Sequence, residues 1–269
     1  MKIKSTKNKN QGVYTTTKKD GSTYYRSSIT CRNKHISLAG YDTKIKANKA
    51  YNLANKIFND PSITIDDYDS DSILSFKKWV VLINYRDNNV YFSTPIYLKT
   101  KFFYYHLSPT IRITFDKDDL FYYSAKTIMK RGNHLFVADY GMQYNIINRY
   151  GIRSYSVVGR DYIHINNDIY DYRYENIDII NNYYGVQKIS KKNKDIYKAI
   201  IHVNGNYIIG YYKTPIEAAI AYNKAIDILK QKGSTKKYNL NYIEKITNQE
   251  YAKIYSEIVI SSRLYTIVF

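Results

Sequence analysis

One local pattern occurs twice in this chain, and that duplication narrows the folds open to its 269 residues more than any other feature. In the C-terminal copy, Tyr197, Ala199, Ile201 and Val203 alternate with Ile196, Lys198, Ile200 and His202. A period of two describes a strand with one core face and one partly polar face. Asn204-Gly205 follows, a dipeptide suited to a tight hairpin turn, and residues 206–212 return as another strand. Thr214-Pro215-Ile216-Glu217 then sets a hydroxyl at the N-cap, a proline at the first helical position and a carboxylate that can reach back to the cap. Ala218, Ala219, Ala221, Tyr222, Ala225 and Ile226 continue as a stripe of small residues at helical spacing. Small side chains let a helix lie close on a thin sheet.

The N-terminal copy keeps this order. Gly12-Val13 answers to Gly185-Val186, and Tyr25, Ser27 and Ile29 answer to Tyr197, Ala199 and Ile201. Residues 38–43 answer to 209–214, and Ala47, Ala50, Tyr51, Asn52 and Ala54 to Ala218, Ala221, Tyr222, Asn223 and Ala225. The offset drifts by one or two residues, and only in loops. A duplicated module of three strands and one helix is therefore expected over residues 12–59 and 183–239.

The run GV…YKAxI…IGYYKTPxEAAxAYNxA resembles the APETALA-two, or ethylene-response-factor, DNA-binding domain. The match covers most of residues 185–230, and 12–58 less closely. The resemblance implies a sheet laid in the major groove of double-stranded DNA, with the helix bracing its back. On the first copy it implies DNA contacts from Tyr14, Thr16 and Lys18, from Tyr24, Arg26, Ser28, Thr30 and Arg32, and from His35. On the second it implies Gln187, Lys191, Lys198, His202 and Asn206, with Ile200 on the same face. His35 and His202 read equally well as surface histidines. The first copy has Tyr, Thr and Ser where the family carries more arginine and a tryptophan. Arginine can hold guanine bidentately and a hydroxyl cannot, so no base sequence follows from the resemblance.

Charge follows the repeat. The formal net charge is +18. Residues 1–59 hold 13 Lys and Arg against two Asp; residues 60–184 hold 14 against 15 acids; residues 185–239 hold 11 against three; the remaining tail balances. Two basic modules around a neutral middle imply a polyanion gripped at two points, with salt-dependent affinity. Four of the 13 in residues 1–59, Lys2, Lys4, Lys7 and Lys9, lie on a basic arm over residues 1–11. Cys31, the one cysteine, excludes an internal disulfide framework and suits a reducing, intracellular setting; for a DNA-binding protein that is the nucleus in a eukaryotic source or the site of viral DNA in a viral one. No apolar run reaches spanning length, and the start MKIKSTKNKN lacks the apolar core of a secretory signal.

Residues 60–72 are acidic and polar with a proline, and read as a linker. SFKKWVVLINY and NNVYFSTPIYLK read as strands with a turn at Asp87-Asn88-Asn89. Asp116, Asp118 and Asp119 fall at a strand-to-helix junction, where capping and dipole complementation explain them more simply than a metal. Tyrosine is abundant, with 33 copies, mostly in alternating strands, which favours sheet packing over base stacking. The tail predicts a helix over residues 247–261 and a final strand, LYTIVF. Its apolar end implies burial, against the middle of the chain or in a homodimer contact.

Within residues 149–181, His164-Ile165-Asn166 followed by Asp171, Arg173, Glu175, Asn176 and Ile177 resembles the HNH nuclease pattern. Mobile nucleases of that family often carry an APETALA-two-type module just downstream. The resemblance assigns His164 as general base and requires a divalent metal, Mg or Mn. The family's metal-binding aspartate precedes the histidine, and Ile163 stands there, with Asp161 two residues before it. The upstream histidine is missing near Tyr144-Asn145. About eight residues separate Asn176 from Gly185, too few for the ligand-bearing helix.

The expected architecture is α+β, with two small three-stranded-sheet-plus-helix modules flanking a central HNH-like α+β domain over residues 73–182. The expected function is a non-catalytic double-stranded-DNA-binding protein derived from a homing endonuclease and needing no cofactor. Two alternatives stand beside it: an active HNH endonuclease or nickase using His164 and a metal, and a nucleoprotein coating DNA without sequence choice.

Overall fold

The computed structural model describes residues 12–139, 141–191 and 194–269; the basic arm expected over residues 1–11 lies outside them. The fold is α+β, and the chain divides into two compact units. One holds the residues up to Ile146 with Asp168–Tyr174, and the other holds Ile147–Asn167 with Glu175–Phe269. The stretch expected as a separate centre is thus shared between them.

In the first unit, β1 (Val13–Thr17), β2 (Thr23–Cys31) and β3 (Lys34–Tyr41) form an antiparallel sheet in that order. Helix α1 (Lys44–Asn59) starts at Thr43, whose hydroxyl accepts from the Lys46 N–H at 3.2 Å. Ala50, Ala54 and Ile57 pack with Ile29, Ile36 and Leu38 in one core, so the small-residue stripe meets the sheet as its spacing requires. Ser27 and Ile29 are buried beneath the helix and Arg26 and Thr30 are exposed, following the two-residue period.

Two expectations fail in the next stretch. SFKKWVVLINY is helix α2 (Phe76–Asn88), capped by the Ser75 hydroxyl and closed by Asn89 in the left-handed region at φ 57°. Its apolar residues run without a break, so periodicity cannot tell a buried strand from a buried helix. Trp79 through Tyr85 are all buried, which needs partners all round the helix. Trp79, Leu82, Ile83 and Tyr85 join the α1 core. Residues 60–72, expected as a linker, pack against the same core. Ile63, Ile65 and Tyr68 lie on it, and the Trp79 indole N–H donates to the Thr64 carbonyl at 2.9 Å.

Strands β4 (Ile96–Leu98), β5 (Phe102–Ser108) and β6 (Ile111–Asp116) form a second sheet of this unit. After the short α3 (Leu120–Ser124), β7 (Ile128–Arg131), β8 (His134–Asp139) and β9 (Met142–Asn145) form a third. Residues 168–174 return beside β6, where the Thr114 N–H donates to the Tyr170 carbonyl and the Tyr172 N–H to the Thr114 carbonyl, both at 2.9 Å. Of the junction acids, Asp116 makes no side-chain cap bond and accepts from the Tyr174 N–H at 2.7 Å, while Asp118 and Asp119 lie in the first turn of the short 3-10 helix Lys117–Asp119.

The second unit pairs β10 (Tyr162–His164) with β11 (Ile177–Ile179). Strands β12 (Val186–Lys191), β13 (Lys194–His202) and β14 (Asn206–Tyr212) then rebuild the first sheet. Helix α4 (Pro215–Gln231) starts in a full capping box of Thr214 and Glu217, and α5 (Asn248–Glu257) follows.

The duplication extends to irregularities. In both sheets the register slips at equivalent points, leaving Leu38 and Ile209 as the extra residue of the last strand. Gly12 and Gly185 have φ of +53° and +68°. A Cβ on Gly12 would lie 2.1 Å from the Ser28 carbonyl oxygen and 2.7 Å from the Tyr51 ring; on Gly185 it would meet the Ile200 oxygen at 2.4 Å and the Tyr222 ring at 2.3 Å. The same three-way contact recurs at the same place in each copy.

The tail differs from expectation. Helix α5 ends at Glu257, and residues Ser262–Thr266 form a single 3-10 turn instead of a strand. A strand needs an edge to pair with, and here the Ser261 N–H donates to the carbonyl of Ile209, the bulge residue, at 2.8 Å. Ile260, Leu264 and Ile267 enter the α4 core, while Val268 and Phe269 are exposed. No helix among the described residues is long and apolar enough to cross a membrane.

Candidate nucleic-acid interface

Each repeated sheet packs one face on its helix and carries exposed polar residues on the other. On the first open face Tyr14 on β1 pairs across to Arg26 on β2, and Thr16 to Tyr24. The Tyr24 ring has Lys18 Nζ and the Arg26 guanidinium each 5.9 Å from its centre. Gly40 lets that ring lie flat, since a Cβ there would sit 3.1 Å from it. Lys18, Arg26, Thr30 and His35 are exposed, and Tyr14 is 46% exposed. Thr30 Oγ1 and His35 Nδ1 form a cross-strand pair at 3.4 Å. The face is a polar, cationic surface with two aromatic rings set flush in it.

Two residues assigned to this face are used elsewhere. Ser28 is buried, and its hydroxyl donates to the Gly12 carbonyl at 3.3 Å. Its backbone approach to Gly12 puts it under the first strand. Arg32 stands in the β2–β3 turn, where Arg32 and Asn33 have φ of 43° and 64°, the two positive values a two-residue turn needs. Its guanidinium donates to the Tyr85 carbonyl at 2.9 Å and Asn89 Oδ1 at 3.1 Å, over the Phe58 ring. Tyr85 Oη returns a bond to the Cys31 carbonyl at 3.2 Å. Arg32 clamps the hairpin to α2 and is not part of the open face.

On the second open face Gln187 pairs with Lys198, Ile189 with Ile196, Lys191 with Lys194, and Ile200 with Ile208. His202 and Asn206 are exposed and joined at 3.0 Å between Nδ1 and Oδ1. Lys191 is exposed, while Gln187 and Lys198 are half-buried. This face is more apolar than the first: Ile208 and Tyr211 are 43% and 57% exposed on it.

Sequence reasoning missed what adjoins it. Gln187, Ile200, His202 and Asn206 form one wall of a groove of about 420 Å³. The opposite wall is the loop before β10, with Arg153, Tyr155, Ser156 and Arg160. The Arg153 guanidinium lies 4.6 Å from the Tyr184 ring centre and donates to the Asn181 carbonyl at 2.6 Å. Burial holds its pKa below the usual arginine value, against the opposing pull of Tyr184 and Asp161. Arg160 is tied to the Asp161 carboxylate at 2.6 Å. Nothing local in the sequence marks these residues, because the loop meets β12 and β13 only in the fold.

The nuclease-like residues are placed less favourably. His164 is 4% exposed, pairs with Ile177 across β10 and β11, and has its ring 5.7 Å from that of Tyr162. A general base must reach its substrate, and this imidazole is buried. Ile163 offers no metal ligand. Burial would raise the Asp161 carboxyl, but hydrogen bonds from Arg160, the Val157 N–H and Asn181 outweigh it and hold the pKa below the carboxylate range. Those donors occupy both its oxygens, so the residues present do not fit Mg or Mn. Among the described residues no three His, Cys, Asp or Glu side chains cluster as a metal site. Asn176 accepts from the Asn166 N–H at 2.9 Å through Oδ1 and closes the turn after His164. Asp171 is buried and held by Arg173 at 2.6 Å. Both act as scaffold.

No protein-family model, curated protein or solved structure matches the chain.

Proposed function

We propose that this protein binds double-stranded DNA through the open faces of its two repeated sheets, without cutting it. The observation that carries the reading is a fold built twice, bulge for bulge, with the chain's excess charge gathered in those two modules and the basic arm over residues 1–11. A sheet of three strands with its helix behind it presents one supported face, and a two-stranded ribbon already fits a B-DNA major groove. Lys18 and Arg26 on one face, and Lys191 and Lys198 on the other, neutralise phosphates. Phosphate contacts fix position and affinity, whereas Thr30, His35, His202 and Asn206 stand where base edges are read. The resemblance to the APETALA-two fold points the same way, and the nuclease-like segment serves as scaffold.

The test is affinity for a duplex oligonucleotide against salt. About six to ten phosphate contacts give a log–log slope near −0.9 per contact. Replacing Arg26 and Lys198 together with Ala flattens that slope by about two units, one for each lost phosphate contact. Duplex affinity indifferent to salt, or a double variant with the wild-type slope, refutes the proposal.

A further inference from the structure

We infer that the groove beside the second sheet holds one unpaired nucleotide of a bound strand, with its phosphate on Arg153 and Arg160 and its base against Tyr155. The inference deepens the DNA-binding reading, since the groove shares the wall formed by Gln187, His202 and Asn206 with the proposed duplex face.

Size, charge and chemistry converge on this occupant. A groove of about 420 Å³ falls at the lower end of the range for small-ligand sites, about 300–1,000 Å³. Its charge is that of one cation: Arg160 is neutralised by Asp161 at 2.6 Å, while Arg153 bonds only a neutral carbonyl among its described hydrogen bonds. One net positive charge matches one phosphodiester and is too little for a triphosphate. The guanidinium of Arg153 is already oriented, fixed over the Tyr184 ring and by the Asn181 carbonyl, and its partial burial leaves it short of solvent.

Tyr155 supplies the second half of the site. The residue is 93% exposed on the groove's loop wall. A tyrosine that exposed contributes almost nothing to the core, and exposed aromatics beside cations are what proteins use to stack bases taken out of a helix. Gln187 and Asn206 carry amides on the facing wall, able both to donate to and to accept from a base edge. Duplex DNA keeps its bases stacked and offers none to such a groove. A bulge, a strand end or a melted step does.

The experiment uses the full chain and three fluorescent probes: a perfect duplex, the same duplex with one bulged thymine, and single-stranded dT12. The bulged duplex binds on the order of tenfold more tightly than the perfect one, the scale of one base stacked on an aromatic ring. Tyr155→Ala, on an exposed ring whose loss leaves the fold intact, removes that preference and weakens dT12 while sparing the perfect duplex. Arg153→Lys, which keeps the charge and loses the fork, also reduces the preference. Equal binding of bulged and perfect duplex by the wild type overturns the inference and leaves duplex binding standing. If the perfect duplex fails to bind but dT12 binds in a Tyr155-dependent way, the groove stands and the sheet-face reading falls. Loss of affinity for all three probes to the same degree in Tyr155→Ala also refutes the groove.

Discussion

Acidification should destabilise the first unit through one histidine. His106 on β5 is 8% exposed, with its ring against Phe76 and Tyr104 at 6.0 and 6.1 Å. Burial, then the charge of Arg112, pushes its pKa from 6.5 down to about 4, against a small opposing effect of Asp66. Because the folded value is depressed, the unfolded chain binds the proton first. The neutral folded form is fully stable above pH 6.5, and stability is lost as pH falls from there toward 4. At about 1.4 kcal/mol per pH unit of separation, the loss reaches about 2 kcal/mol by pH 5 and levels near 3 kcal/mol below the folded pKa. Urea titrations at pH 7 and pH 5, followed by tryptophan fluorescence, read this unit alone. Trp79 is the only tryptophan and is buried in it. His106 Nε2 makes no hydrogen bond, so His106→Phe strands no partner. It should flatten the loss between the two pH values to a few tenths of a kcal/mol. The exposed carboxylates of Asp20, Asp42, Asp60 and Asp67, whose pKa values are lowered by hydrogen bonds, titrate lower still and identically in both proteins. An equal fall in stability in wild type and variant would refute the reasoning.

Other outcomes follow from the same contacts. Arg32→Ala should lower the urea midpoint of the Trp79 signal by about 1–3 kcal/mol of stability, because the Tyr85 carbonyl loses a charged donor; its perfect-duplex salt slope should not change. Gly185→Ala places a Cβ 2.3 Å from the Tyr222 ring at positive φ, and amide exchange in the second unit should accelerate by at least tenfold, about 1.4 kcal/mol. Gly205→Ala, with open space around it, is the control and should change exchange little.

The repeated modules were legible because their signals are local. The period of two before Asn204-Gly205, the hairpin there and the Thr214 capping box each act within a few residues; the capping box appears where it was placed, the strand ends one residue early at His202, and the hairpin closes through the three residues Val203–Gly205. What failed depended on distant partners. The run from Trp79 to Tyr85 carries no period, so only its surroundings decide that it is a helix. LYTIVF has strand composition but finds no free edge. Arg32 looked like one more cation on a recognition face, and only the fold brings α2 to its turn. The groove was invisible for the same reason: Arg153 and Tyr155 lie about fifty residues from His202 in sequence. His106 carries no mark of burial in its own neighbourhood.

The matched pair of glycine contacts has a further meaning. Gly12 with Tyr51 and Gly185 with Tyr222 keep the two sheets superimposable, while the residues on the open faces have drifted apart: Tyr24 answers to Ile196, Arg26 to Lys198, Ser37 to Ile208. The side chains that hold each module together and those on the open face are separate sets, on opposite sides of one sheet. Surface and scaffold can therefore change independently. A face transplanted from one copy to the other should fold on its new support, so the two modules form a pair of frames on which different surfaces can be mounted.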